Sequence, residues 1–157
     1  MKKGLQLEDG TIKEYSSVPK SYGKVIGGFN TLNDTELEGY GFYNIVTPSI
    51  TESQELGNIE WDSSNNVFTY PVGDKTFIQS LAEMKAQKID NLKYSYGREL
   101  AKTDWIVVRD QELGNTTDSA ISSARATLRS ACATKETAIN GKTTKAQVAD
   151  YSLPTFI

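Results

Sequence analysis

The chain contains no histidine and a single cysteine, Cys132. The first absence removes the commonest general base and the commonest metal ligand. The second excludes an internal disulfide and any thiolate zinc site. Cys132 sits in "RSACATK", between small residues of a predicted helix, and reads as a small buried apolar residue rather than a nucleophile. No apolar run approaches the roughly 18 residues that span a bilayer, so no membrane partner is expected. The stretch "MKKGLQLEDG" carries two lysines with no apolar segment behind them, and it is not read as a signal peptide.

Hydrophobic residues are scarce as well: 38% of 157 residues, with 24% charged. Such a chain has a thin core, and an oligomer or partner is expected to complete it. Charge is uneven. Residues 1–72 hold 5 basic and 10 acidic groups, net −5, and residues 73–157 hold 12 and 10, net +2. Neither half has the basic clusters interleaved with aromatics that bind nucleic acid, so no nucleic-acid partner is expected.

The glycines of "GKVIGGF" lack the spacing of a phosphate-binding loop. The pairs Glu36/Glu38 and Asp110/Glu112 have no convergent catalytic partner nearby in sequence and read as solvated surface. The serines of "DSAISSARA" have neither a histidine nor an S-x-x-K lysine to activate them. The chain is therefore expected to be non-enzymatic, with no cofactor and no metal.

Local signals divide the chain in three. Over residues 1–73 the patterns are those of a small antiparallel β region. "LQLEDGTIKEY" is a hairpin turning at Asp9-Gly10. "VPKSYGKVIGGFNTL" is glycine-punctuated loop. Asn33 and Glu36 have capping-box spacing for a short helix stopped at Gly39, and a strand follows. "GNIEWDSSNNVFTYPV" is a second hairpin. Tyr40, Phe42 and Tyr43 form an aromatic stretch that is a candidate surface for stacking against a partner.

From residue 74 the period changes. Thr76 with Gln79 has capping-box spacing, and Ile78, Ala82, Ile89, Leu92, Tyr96 and Leu100 fall near one helical face. A second helix starts near Thr116 or Thr117 and ends at Asn140-Gly141, with a narrow stripe of Ile121, Ala124, Leu128, Ala131, Cys132 and Ile139. Residues 74–141 thus form an antiparallel helical hairpin. Between the helices lies a break at Thr103, Asp104 and Trp105, then a polar loop. The break reads as a structural joint: Thr103 and Asp104 satisfy freed backbone groups, and Trp105 fills the crevice, where a buried tryptophan covers about 150–250 Å². Residues 142–157 read as an extended docking tail. Its Tyr151, Leu153, Pro154, Phe156 and Ile157 are candidate partner-binding residues, expected to pack more readily on a neighbouring chain than on their own. The fold class is accordingly α+β: β region, helical hairpin, extended tail.

The joint also carries a resemblance. The helix, Thr103-Asp104-Trp105, the polar loop, then Arg125 and Leu128-Arg129 resemble the small C-terminal module of bacteriophage tail assembly chaperones, which accompany tail-fibre genes. Upstream, Pro19, Ser21, Gly27, Glu36-Leu37 and Gly41-Phe42 are similar to the opening of companions of that module. Ala124 departs from the pattern, where a tryptophan or tyrosine is usual. The resemblance implies a non-enzymatic phage tail protein that binds a tail or tail-fibre protein in a multi-protein or homo-oligomeric assembly. It implies action in the host cytoplasm during assembly as a chaperone or adaptor, or residence in the virion as a minor component of tail, baseplate or fibre.

Overall fold

The computed structural model describes residues 2–156. The fold is α+β, with two compact units, Met1–Lys75 and Thr76–Ile157. The division falls two residues past the expected position, and residues 142–157 belong to the helical unit rather than standing apart.

In the first unit, β1 (Lys3–Gln6) and β2 (Ile12–Tyr15) form the expected hairpin, antiparallel with Leu5 opposite Lys13. The Asp9 carboxylate accepts from the Thr11 amide at 2.9 Å and fixes the turn. The helix α1 (Asp34–Gly39) opens with the Asn33–Glu36 capping box, closed in both directions at 3.0 and 2.8 Å. Then come β3 (Phe42–Val46), β4 (Gln54–Leu56), β5 (Glu60–Asp62), β6 (Val67–Thr69) and β7 (Val72–Asp74).

Strands β2-β1-β3-β6-β5 form one sheet, in that order. It is mixed rather than wholly antiparallel, because β3 and β6 run parallel. The chain leaves β3, crosses residues 47–59, and returns as the β5–β6 hairpin, so the inner strand of that hairpin meets β3 in the same direction. A second pair, β4 with β7, was not foreseen. It prolongs the β5–β6 ribbon past the Gly57 amide, which donates to the Pro71 carbonyl at 2.8 Å.

Side chains alternate across the sheet. One face carries Leu5 and Phe42, covered by Phe29 and Leu37, with Tyr15, Val18, Tyr22, Val25 and Leu32 around them. The other carries Tyr43, Trp61 and Phe68, whose rings meet edge to face at 4.5–6.2 Å. Phe68 lies across Gly4, where any β-carbon would overlap its ring.

The second unit contains α2 (Leu81–Ala101), α3 (Asp104–Glu112), α4 (Ser119–Asn140) and α5 (Lys145–Ala149). Helix α2 starts later than expected. Ser80 and Glu83 close the capping box instead of Thr76 and Gln79, strengthened by a Ser80 Oγ to Glu83 carboxylate bond at 2.8 Å. Ile78 therefore precedes the helix and is fully exposed at 101%. Helix α4 starts a little later than Thr116 or Thr117, with Asp118 as its cap, the carboxylate accepting from the Ala120 amide. Lys85 donates to the Asn140 carbonyl, Lys93 pairs with Glu136, and Arg125 donates to the Leu100 carbonyl. These cross-links advance along α2 while retreating along α4, so the two helices are antiparallel.

Their seam is Leu92, Tyr96 and Ile139, flanked by Ile89, Leu128, Ala131 and Cys132. The polar loop expected after residue 105 is instead largely the helix α3, and the tail expected to be extended begins with α5, capped by Thr144. Buried Val148 anchors α5. No helix among the described residues is long and apolar enough to cross a membrane.

Candidate protein-docking site

The turn from α2 into α3 is tied by one side chain. Arg125, buried on α4, donates from Nη1 to the Leu100 carbonyl at 2.7 Å and to Thr103 Oγ1 at 2.6 Å, and from Nη2 to Asp104 Oδ1 at 2.6 Å. Thr103 in turn donates its hydroxyl to the Leu100 carbonyl at 3.1 Å. The planar, five-donor guanidinium suits this task, since it can hold a helix-terminal carbonyl, a hydroxyl and a carboxylate at once. Thr103 thus reaches a freed backbone carbonyl, as expected, whereas Asp104, expected to do the same, meets the Arg125 side chain instead. The centre of the joint is Arg125, which composition and periodicity did not single out for this role.

Trp105 has a different place from the one expected. It does not fill the crevice: it is 61% exposed, on the outward side of α3. Because residues 104–112 are helical rather than a break, Asp104 faces Arg125 and the next side chain is rotated by about 100°. Val108 and Leu113 are exposed with it, at 53% and 67%. Arg109 lies over the indole, 5.1 Å from the ring centroid, and is itself held by buried Asp110 at 2.7 and 3.1 Å. The indole is therefore presented to solvent on a fixed support. A rigid amphipathic ring with large contact area has the character of an interface anchor.

The other predicted contact residues are mostly absorbed by the chain itself. Phe42 is fully buried at the centre of the first core, touching Tyr15, Tyr22 and Phe29. It is no surface for stacking. Tyr43 is half-buried against Trp61, and Tyr40 packs edge-on to Phe29 while leaving a face open. Alternation explains the split: adjacent residues of one strand cannot share a face.

The tail departs from expectation too. Tyr151, Leu153 and Phe156 pack onto the α2–α4 seam of their own unit, and Phe156 meets Tyr96 at 5.0 Å. The seam's stripes are too narrow to close without them, so the tail serves as the missing layer of this core. Pro154 and Phe156 line a small cleft with Tyr94, Arg98 and Lys102. Ile157 lies outside the described residues.

Burial pushes the Cys132 thiol above its ordinary value, and the Glu136 carboxylate adds to the shift. Elsewhere in the chain, Ser17 with Lys20 and Ser21 with Lys24 do have S-x-x-K spacing. Both lie in the glycine-rich loop, where Ser21 Oγ accepts from the Gly27 amide at 2.9 Å. Neither serine is hydrogen-bonded to its lysine among the described residues. Among those residues no group of three or more acidic or cysteine side chains is placed to hold a metal ion. No family model matches the chain, and neither the curated proteins nor the solved structures give a significant match.

Proposed function

We propose that this chain is a non-enzymatic bacteriophage tail protein, an assembly chaperone or adaptor that binds a tail or tail-fibre structural protein. One observation carries the reading. Thr103, Asp104 and Arg125, which the resemblance brings together from separate parts of the sequence, meet in a single hydrogen-bonded joint that leaves Trp105 outward. The arrangement explains why a threonine, an aspartate and a tryptophan stand in succession. The first two lock the turn, and the third is the group being displayed. On this reading the exposed side of α3, with Trp105, Val108 and Leu113, is the surface that engages the tail protein.

The absence of histidine, and a lone cysteine whose thiol burial pushes above its ordinary value, favour binding over catalysis. The protein would act in the host cytoplasm while tails assemble.

Quantitative mass spectrometry of purified phage particles and of infected-cell extracts tests this. A chaperone is absent from particles but co-purifies from extracts with a tail or fibre protein. Stoichiometric copies in the particle would make it a permanent minor component of tail, baseplate or fibre. Failure to associate with any tail protein in either fraction overturns the reading. Trp105→Ala should weaken that association at least about tenfold while leaving the fold intact.

A further inference from the structure

An ammonium group taken out of water needs acceptors for its several donors, or its burial costs more than its ion pair returns. Lys3 is only 3% exposed, yet its one hydrogen-bond partner among the described residues is Asp34, with Nζ 2.8 Å from Oδ1. Asn44 is anomalous in the same place. Its Oδ1 is buried and accepts no hydrogen bond among the described residues, while its Nδ2 donates to Asp34 Oδ2 at 3.4 Å. One carboxylate thus bridges two side-chain nitrogens, an amine on one oxygen and an amide on the other. The ion pair does not require an asparagine here, since a serine or threonine could bond Asp34 without leaving a buried amide oxygen unpaired.

The strands bring these groups together. Lys3 on β1 stands directly opposite Asn44 on β3. The Ile45 amide donates to the Lys2 carbonyl at 3.0 Å, so the adjoining Lys3–Asn44 pair is of the non-hydrogen-bonded kind, with Cα atoms about 4.5 Å apart and side chains at their closest. By the alternation along each strand, both side chains lie on the sheet face that carries Leu5 and Phe42. Asp34 reaches them from the first turn of α1, which the Asn33–Glu36 box fixes in place. Its side chain is 60% exposed, so the group is buried on the lysine side and open to solvent on the carboxylate side.

We propose that Lys3 and Asn44 become joined by an isopeptide bond between Nζ and Cγ, with Asp34 as the catalytic residue that moves the protons. Asp34 takes a proton from the Lys3 ammonium, and the lone pair freed on Nζ attacks Asn44 Cγ as the carbonyl electrons move onto Oδ1. Asp34 hands its proton to Nδ2 and takes the second one from Nζ. The carbonyl then re-forms, the Cγ–Nδ2 bond breaks, and ammonia leaves on the exposed side, carrying that last proton away as ammonium. One C–N bond replaces another, so no oxidant or co-reactant is needed. The product buries no charge at Lys3, and its single N–H can donate to Asp34, which is an ion-pair partner only until the bond forms. Hydrogen bonding to Lys3, and then to Asn44, holds Asp34 below the ordinary carboxylate range. The neutral amine is therefore scarce, and linkage should follow folding slowly. The bond would staple β1 to β3 across a thin core.

Intact-mass spectrometry of the full chain tests this. Chain recovered in urea should have the mass of its sequence. Refolded and held at neutral pH for a week, it should become lighter by one ammonia. Trypsin should then release residues 3–13 joined to residues 25–75, because acylated Lys3 is no longer a cleavage site and neither segment has another internal lysine or arginine. Lys3→Arg keeps the charge but supplies no amine, and it should keep its full mass while circular dichroism shows it folded. Asn44→Ala and Asp34→Asn should likewise lose no ammonia. Refolded wild-type chain of unchanged mass overturns the proposal. So does ammonia lost only elsewhere, such as a succinimide at Asn140-Gly141, or Asn44 converted to aspartate, which makes water the nucleophile. Undiminished linkage in Asp34→Asn overturns the part assigned to Asp34. None of these measurements involves Trp105 or a tail protein, so the inference stands apart from the adaptor reading.

Discussion

Arg125 Nη2 lies 2.6 Å from Asp104 Oδ1, but the two ends of this ion pair stand in different surroundings: the arginine side chain is 11% exposed and the carboxylate 56%. The asymmetry ranks the variants. Arg125→Ala removes three hydrogen bonds at once, to the Leu100 carbonyl, the Thr103 hydroxyl and the Asp104 carboxylate, and should destabilise the helical unit by about 2–3 kcal/mol. Asp104→Ala removes only the exposed end and should cost under about 1 kcal/mol. Trp105→Ala, which removes an exposed ring and its stack with Arg109, should also stay under about 1 kcal/mol. Urea unfolding followed by circular dichroism gives the order. A Trp105 variant that loses more stability than Arg125→Ala would mean the indole fills the crevice after all.

Gly4 illustrates a constraint of another kind. It pairs with Tyr43 on the face where Phe68 crosses the sheet, and the ring occupies the space of the missing β-carbon. Gly4→Ala should therefore cost about 1–3 kcal/mol through overpacking, despite alanine's milder backbone entropy. In a Phe68→Leu background the same change should cost distinctly less. The coupling from this double-mutant cycle measures the contact, and additivity would refute it.

What could be read from the sequence was local. Asp9-Gly10, the Asn33–Glu36 box and the turn at Asp62–Asn66 place their elements correctly because each signal is complete within a few residues. The parallel β3–β6 contact and the β4–β7 pair depend on where distant strands meet, and no periodicity within either strand encodes that. The same limit applies at the joint. Thr103 and Asp104 were recognisable as polar residues needed at a turn, but their partner is supplied from 22 and 21 residues away. Trp105 was misplaced because its direction depends on whether residue 104 ends a break or begins a helix. The tail was correctly seen as too apolar for solvent. It docks in cis because the thin stripes of α2 and α4 left a vacancy within the same unit.

Acid should loosen both units through carboxylates that serve as acceptors. Hydrogen bonding to Lys3, with help from Asn44, holds Asp34 below the ordinary carboxylate range, and the Ser80 amide and hydroxyl do the same for Glu83 at the start of α2. A depressed folded-state value means the stabilisation is complete above the unfolded value and is lost as pH falls through the folded one. Stability should thus be flat near neutrality and decline below about pH 4. Asp34→Asn should flatten the decline for the first unit, and Glu83→Gln for the second, in melts recorded across that range. An unchanged acid slope in both variants would show that these bonds do not set it.

Removal of the tail distinguishes a docking arm from a structural layer. Phe156 meets Tyr96 edge to face, and Tyr151 and Leu153 pack on the same buried cluster of Leu92, Tyr96 and Ile139. Half-buried aromatic and aliphatic groups of this kind each contribute about 1–2 kcal/mol, at roughly 25 cal/mol per Å² removed from water. Phe156→Ala should then destabilise the helical unit by about 2 kcal/mol, below the range for fully buried phenylalanines. Deletion of residues 151–157 should expose the seam and lower the unit's melting temperature by several degrees. Hydrogen exchange would show protection lost along the inward faces of α2 and α4. An arm that served only a partner would give the opposite result, an unchanged melt with impaired association.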